Sequence, residues 1–297
     1  MSGAFSESKR NYEPKTYGNK TMSNYAHPEV LVDTQWLTEH LTDEKVCIVE
    51  VVTNPQAIPS QVIPGTVVWN PFIDLILPNF TVNFDKANIE TLLSRSGITN
   101  DSTVIVYGEL AGVGGWIFWL LKIFGHQDVR ILDGGRNKWV AEKRPLASLE
   151  NVANPTHYSA QEADGNLRVL FEDVRNSINQ QDSVILDVRT PQEYSGEWFY
   201  DKPPENGERG GHIPSSVHIY YESALNEDGT LKPIEELRQM YESKGITANK
   251  KIIPYCAVGG RSAHTWFVLK YLLGYPNVRN YDGSWSEWSR RYEAESK

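Results

Sequence analysis

Cys256 is followed by Ala257, Val258, Gly259, Gly260, Arg261 and Ser262, between an extended apolar segment and an apolar helical one. That placement suits a thiolate nucleophile. A tight loop entering a helix N-terminus turns several backbone N–H groups inward, making an anion nest that the helix dipole reinforces. Gly259 and Gly260 permit the dihedrals and close backbone approach such a loop needs. The same field stabilises a thiolate and raises its reactive fraction at neutral pH. Arg261 adds a fixed positive charge and a planar fork suited to an oxyanion. Most free cysteines are instead buried as small hydrophobes. Cys47, within Val46-Cys47-Ile48-Val49 and with no glycine loop, is expected to be one of those.

Other residues converge on this loop. Arg189 follows Asp187-Val188 at the carboxyl end of an expected strand, and Val52 holds the matching place in the first half of the chain. Arg189 is therefore expected to bind a small anion, the alternative being an arginine simply paired with a carboxylate. Asp187 is expected to fix Arg189 or loop amides. Arg209 stands just before Gly210-Gly211-His212-Ile213-Pro214, in a long aromatic loop from Trp198 to Gly211 that reads as a lid. His212 and His218 are expected to be structural, because no ligand spacing points to a metal.

The elements that must position these residues are written twice. Gly97-Ile98-Thr99 leads to Val104-Ile105-Val106-Tyr107, and Gly245-Ile246-Thr247 leads to Ile252-Ile253-Pro254-Tyr255. Gly125-His126 through Asp133-Gly134 to Trp139 is repeated by Gly274-Tyr275 through Asp282-Gly283 to Trp288. Ile63-Pro64 and Ile213-Pro214 form a weaker third match. The first pair is offset by 148 residues and the second by 149, which places a length change after Tyr107 or Tyr255. A period this long means tandem domains. Paired by their tyrosines, Gly108 falls where Cys256 stands, with Glu109 behind it and no arginine following. The first half is thus expected to be chemically empty.

Within a unit, Ser183–Val188 reads as a buried strand and Lys251–Tyr255 as the next. Pro254 is tolerable only near a strand end. Pro233 opens a helix with Ile234, Leu237 and Tyr241 at helical spacing, and Gly245 stops it. Ser262–Leu273 is an apolar helix matched by Trp116–Phe124. Such alternation predicts an α/β fold in which each domain is a parallel sheet covered by helices on both faces. Ligands in such folds sit beyond the carboxyl ends of the strands. The expected divisions are a mobile tail over 1–27, an inactive domain over 28–145, a linker over 146–166 and a catalytic domain over 167–293. Met22 is a candidate start within the tail.

Composition excludes several function classes. The 297 residues carry 29 basic and 38 acidic side chains, a net charge of −9, which argues against nucleic acid as a partner. Two cysteines make no disulfide framework and no secretory signal is visible, so a cytoplasmic location is expected. No apolar run approaches about 20 residues, so no membrane association is expected. Oligomeric state has no readable signal.

The chain resembles the tandem-domain rhodanese family of sulfurtransferases. The resemblance rests on Asp187-Val188-Arg189 with Glu193-Tyr194 and Gly196, Gly211-His212-Ile213-Pro214, Tyr255-Cys256 through Arg261-Ser262, and Asp282-Gly283-Ser284-Trp285. A degenerate Asp133-Gly134-Gly135-Arg136 marks the first half, and the likeness runs over roughly residues 28–290. It implies an inactive first rhodanese domain, a catalytic second one and a site near their interface. It implies a Cys256 persulfide loaded from a small anionic donor such as thiosulfate and emptied by a thiophilic acceptor such as cyanide or a thiol. Arg189, Arg261 and Arg209 would bind the donor. Ala257, Val258, Gly259, Gly260 and Ser262 would hold the persulfide, with no metal or organic cofactor.

The loop resembles that of bacterial thiosulfate sulfurtransferases ending in Arg-Ser more than the Cys-Gly-small-Gly-Val-Thr loop of mercaptopyruvate-using relatives. 3-Mercaptopyruvate remains an alternative donor. A cysteine phosphatase or arsenate reductase is a further alternative, although four residues separate Cys256 from Arg261 where those enzymes usually have five. The shorter loop fits an outer sulfur better than a phosphoryl group. A sulfur-carrier module that does not turn over also remains open.

Overall fold

The computed structural model describes residues 24–110, 112–149, 153–205 and 207–295. Residues 1–23, most of the expected tail and including Met22, lie outside the described residues.

The first half contributes β1 (Leu31–Val32), β2 (Val46–Val51), β3 (Gln61–Val62), β4 (Thr66–Trp69), β5 (Thr103–Gly108), β6 (Val129–Leu132) and β7 (Ala147–Ser148). Five of these form one parallel sheet in the order β1-β6-β5-β2-β4, while β3 and β7 pair antiparallel beside it. The second half contributes β8 (Ser183–Asp187), β9 (Val217–His218) and β10 (Lys251–Tyr255), parallel and in the order β10-β8-β9. Past β10, among the described residues, this sheet continues as single parallel bridges, Ile252 to Val278 and Arg168 to Asn280. Those bridges stand where β6 and β1 stand in the first half. The duplication seen in the sequence is a duplication of sheet order.

Alternate residues of each central strand enter opposite cores, as strands buried on both faces require. Val49, Val104 and Val106 face one core while Ile48, Ile105 and Tyr107 face another. Val184, Leu186 and Ile252 are likewise set against Ile185, Ile253 and Tyr255. Pro254 sits one residue from the end of β10 and turns toward the side where the sheet thins to bridges. Its carbonyl still accepts Tyr281 N–H at 3.1 Å, so the missing donor breaks no continuous ladder.

Helices Val113–Ile123 and Gly260–Phe267 pack the halves together in one shared core. Gly115 permits the crossing, since a Cβ there would lie 2.5 Å from the Cα of His264. Gly112 and Gly259 precede these two helices with left-handed φ values of 87° and 91°, so the first half keeps the turn without its cysteine.

Two segments depart from expectation. Tyr25 is buried, its hydroxyl donates to Lys232 O at 2.9 Å, and Ala26 N–H donates to Leu272 O at 2.9 Å. Residues 24–27 are thus docked by an aromatic anchor and backbone pairing, and the mobile tail expected over 1–27 is corrected there. The stretch 146–166 carries β7, buries Tyr158 and Ala160, and has Thr156 Oγ1 donating to Ile98 O at 2.6 Å. Its described residues run along the first half rather than standing off it. Among the described residues no helix is long and apolar enough to cross a membrane.

Candidate active site

Cys256 leaves the carboxyl end of β10 and is followed by the turn into helix Gly260–Phe267. Loop shape is imposed from outside. Trp285 N–H and Ser286 N–H donate to the carbonyls of Cys256 and Ala257 at 2.9 and 3.0 Å. Asn280 Nδ2 donates to Gly259 O at 3.1 Å. With these carbonyls held outward, Gly259 N–H donates to Cys256 Sγ at 3.2 Å. The Ser262 hydroxyl lies 3.6 Å from the same sulfur. Gly259 and Gly260 have no room for a side chain: a Cβ would meet Asp282 O at 2.8 Å in the first case and the Trp116 ring at 2.9 Å in the second. The second contact binds the cysteine loop to the first half.

Cys256 is 1% exposed, yet it lines a cleft of about 980 Å³. Ala257, Val258, Gly260 and Arg261 line it too, as do Arg209, Lys202 and Arg290. Phe72, Leu110 and Trp116 of the first half form the facing wall, and Phe199 and Tyr200 of the expected lid complete it. The structure therefore brings Cys256, Arg261 and Arg209 together. Arg261 binds Glu193 through both ends of its fork, at 2.7 and 2.8 Å. Burial opposes the charge on Arg261, but Glu193 and Cys256 outweigh it and hold the guanidinium above its usual range. Glu193 is buried, and its carboxyl is nevertheless held down because Arg261 and Arg189 outweigh the cost of burial.

Arg189 lies apart from this group. It is 1% exposed and does not line the cleft. Its Nε donates to Asp187 Oδ1 at 3.0 Å and its Nη2 to Asp187 Oδ2 and Gly211 O at 2.6 and 2.7 Å. The guanidinium lies over the Trp285 ring at 4.7 Å. Tyr255 closes the knot, its hydroxyl donating to Asp187 and accepting Ile213 N–H at 3.0 Å. The first half ties the same knot without a cysteine. There Arg136 Nη1 donates to Glu50 at 2.9 Å, its Nη2 to Gln61 O at 2.6 Å, and Tyr107 joins Glu50 to Ile63 N–H. Val52 lacks a charge because Arg136 supplies it from another position. The half that lacks the thiol keeps the same device, and around Arg189 it engages the guanidinium with Asp187 and Gly211 O at the strand end.

Asp187 fixes Arg189. His212 Nδ1 lies 2.9 Å from Tyr194 O, and His218 Nε2 lies 2.8 Å from Arg189 O; both rings stack on Tyr194. Cys47 is half-buried, its sulfur 3.6 Å from Ser102 Oγ, and burial pushes that thiol up. Among the described residues no group of three or more His, Cys, Asp or Glu side chains could hold a metal ion. Sequence reasoning missed Ser284, whose Oγ accepts Cys256 N–H at 3.0 Å, and Asn280 and Glu193. Ser284 and Glu193 fall inside quoted motifs, so their signal was present but carried no role. Asn280 had none.

Comparison with known proteins matches the rhodanese-like domain twice, over residues 33–142 and 170–291. The chain is 44% identical over 273 residues to a sulfur carrier protein of Thermus thermophilus, covering 89% of this chain and 95% of that one. It is 42% identical over 270 residues to a Mycolicibacterium smegmatis protein provisionally named a thiosulfate sulfurtransferase, again covering 89% and 95%. The fold is similar to the crystal structure of an anaerobic ergothioneine biosynthesis enzyme from Chlorobium limicola, with a TM-score of 0.79 at 22% identity. That match covers 90% of this chain and 69% of the other.

Proposed function

This chain belongs to the rhodanese family of sulfurtransferases, and on that premise we propose that it takes sulfane sulfur from thiosulfate onto Cys256 and passes it to a thiophilic acceptor. One observation carries the reading: Gly259 N–H donates to Cys256 Sγ at the floor of an open cleft. In the first step the Cys256 thiolate attacks the outer sulfur of thiosulfate. The new Sγ–S bond forms as the donor's S–S bond breaks, and that electron pair leaves on sulfite. In the second step the acceptor attacks the outer sulfur and the pair returns to Sγ. Gly259 N–H and the Ser262 hydroxyl support negative charge on the persulfide. The cations Arg261 and Arg209 attract the anionic donor. Two-step transfer through one covalent intermediate is ping-pong. With both ends of its fork on Glu193, Arg261 has little left to grip a phosphoryl group, which favours sulfur transfer over a phosphatase.

The test is mass spectrometry of the peptide containing Cys256 after exposure to thiosulfate. Wild-type protein and Cys47→Ser are expected to gain one sulfur atom and to turn over with cyanide. Cys256→Ser is expected to do neither while keeping its melting temperature. Full activity in the Cys256 variant would refute the site, and loading by 3-mercaptopyruvate alone would change the donor. A carrier is a second reading, favoured by the named function of the Thermus relative. Stoichiometric loading without steady-state turnover would select it.

A further inference from the structure

Phe199 N–H donates to Lys202 O at 2.7 Å, and the antiparallel bridge between these residues closes a two-residue turn of Tyr200 and Asp201. Tyr200 has φ of 64°. The first central position of such a turn favours glycine or asparagine when φ is positive, and a bulky ring there is strained. Strain of this kind persists where the surrounding structure holds it, often at ligand-contacting sites. Phe199 supplies the hold, packed on the second-half core with the Tyr200 ring edge-on to it at 4.8 Å. The strained side chain stands on the wall of the cleft that Cys256 lines. Ser286 and Arg290 line the same cleft. Ser286 belongs to the cysteine loop's own support, donating N–H to Ala257 O at 3.0 Å and accepting Arg290 Nη2 at 2.6 Å.

This arrangement fills a gap. Arg189 is sequestered and Arg261 is clamped, so a bound donor's anionic head needs further hydrogen-bond donors on the open side of the sulfur. We propose that Tyr200 contacts the substrate, its hydroxyl donating a hydrogen bond to the sulfonate head of thiosulfate and staying with that group as it departs as sulfite. The inference rests on the function proposed above. As the Sγ–S bond forms and the donor's S–S bond breaks, charge that thiosulfate shares with its outer sulfur collects on the leaving oxygens, where a neutral phenol helps most. Burial raises the phenol's pKa, which keeps it a donor at working pH.

Two variants test this. Tyr200→Phe keeps the ring and the strain and removes only the hydroxyl. Tyr200→Gly removes the strain as well. The readouts are single-turnover loading of Cys256 by thiosulfate and by an alkyl persulfide, which gives up its outer sulfur with a thiol as leaving group and has no sulfonate head, inhibition by sulfite, and melting temperature. Tyr200→Phe is expected to lower the thiosulfate-to-alkyl-persulfide rate ratio about ten- to a hundredfold, the worth of a hydrogen bond to a charged group, and to weaken sulfite inhibition in parallel. Tyr200→Gly is expected to lose the same selectivity with no fall in melting temperature. An unchanged ratio in Tyr200→Phe, or an equal loss with both donors, would overturn the role of Tyr200 and leave the sulfurtransferase reading standing. Wild-type protein that takes sulfur from neither donor would overturn both.

Discussion

Arg189 and Arg261 flank one cysteine loop, but burial gives them different work. Arg261 reaches the cleft with its fork on Glu193. Arg189 is enclosed with Asp187, Gly211 O and the Trp285 ring. Arg189→Ala would strand the Asp187 carboxylate in a buried site, and removing one partner of such a pair costs roughly 3–5 kcal/mol. Denaturant unfolding is expected to register that loss, with little change in donor KM for the protein that remains folded. A raised KM at unchanged stability would return Arg189 to the donor site. The knot around Glu50 in the first half argues for the stability outcome, because the same groups recur there beside a glycine.

At the scale of elements, the site depends on how closely two helices cross. Helix Gly260–Phe267 receives the cysteine loop, and helix Val113–Ile123 lies against it at Gly115. A methyl at Gly115 would lie 2.5 Å from a backbone atom of His264, which cannot swing aside as a flexible side chain can. Gly115→Ala is expected to cost about 1–3 kcal/mol by overpacking. It is also expected to lower sulfur transfer, because the displaced helix carries Gly260 and Arg261. Gly165→Ala, with nothing within 4 Å of its Cβ, serves as the neutral comparison. Equal melting temperatures and turnover in the two variants would show that the crossing is not tight.

The whole molecule is closed by a seam between halves on the far side of that crossing. Leu231 N–H of the second half donates to Asp133 Oδ1 of the first at 2.9 Å, and Lys138 pairs with Asp228 at 2.9 Å beside it. Burial, with Asp228 adding to it, pushes the Asp133 carboxyl up to about 7. In the unfolded chain an aspartate ionises near 4. Between those values the unfolded chain releases a proton that the folded chain keeps, so this group's contribution to stability falls as pH rises through the window and is level above it. Asp133→Asn retains an acceptor oxygen for Leu231 and removes the titration. Its stability relative to wild type is expected to rise from about pH 4 to pH 7 and then hold, as measured by thermal unfolding at several pH values. A difference that does not change with pH would mean that Asp133 ionises normally at the seam.

The sequence by itself determined what local order encodes. Its duplicated strand ends, the Cys256 loop entering an apolar helix, the helix after Pro233 and the alternation of strands and helices were legible, because apolar runs, glycines and prolines act on their own neighbourhood. Only the tertiary structure decided which charges meet. Glu193 and Arg261 lie 68 positions apart, and the first half fills the place of Arg189 with Arg136, since a long guanidinium can reach one point in space from more than one backbone position. The apolar wall of Phe72, Leu110 and Trp116 is invisible for the same reason. Those residues look like ordinary core until the helix crossing sets them opposite Cys256.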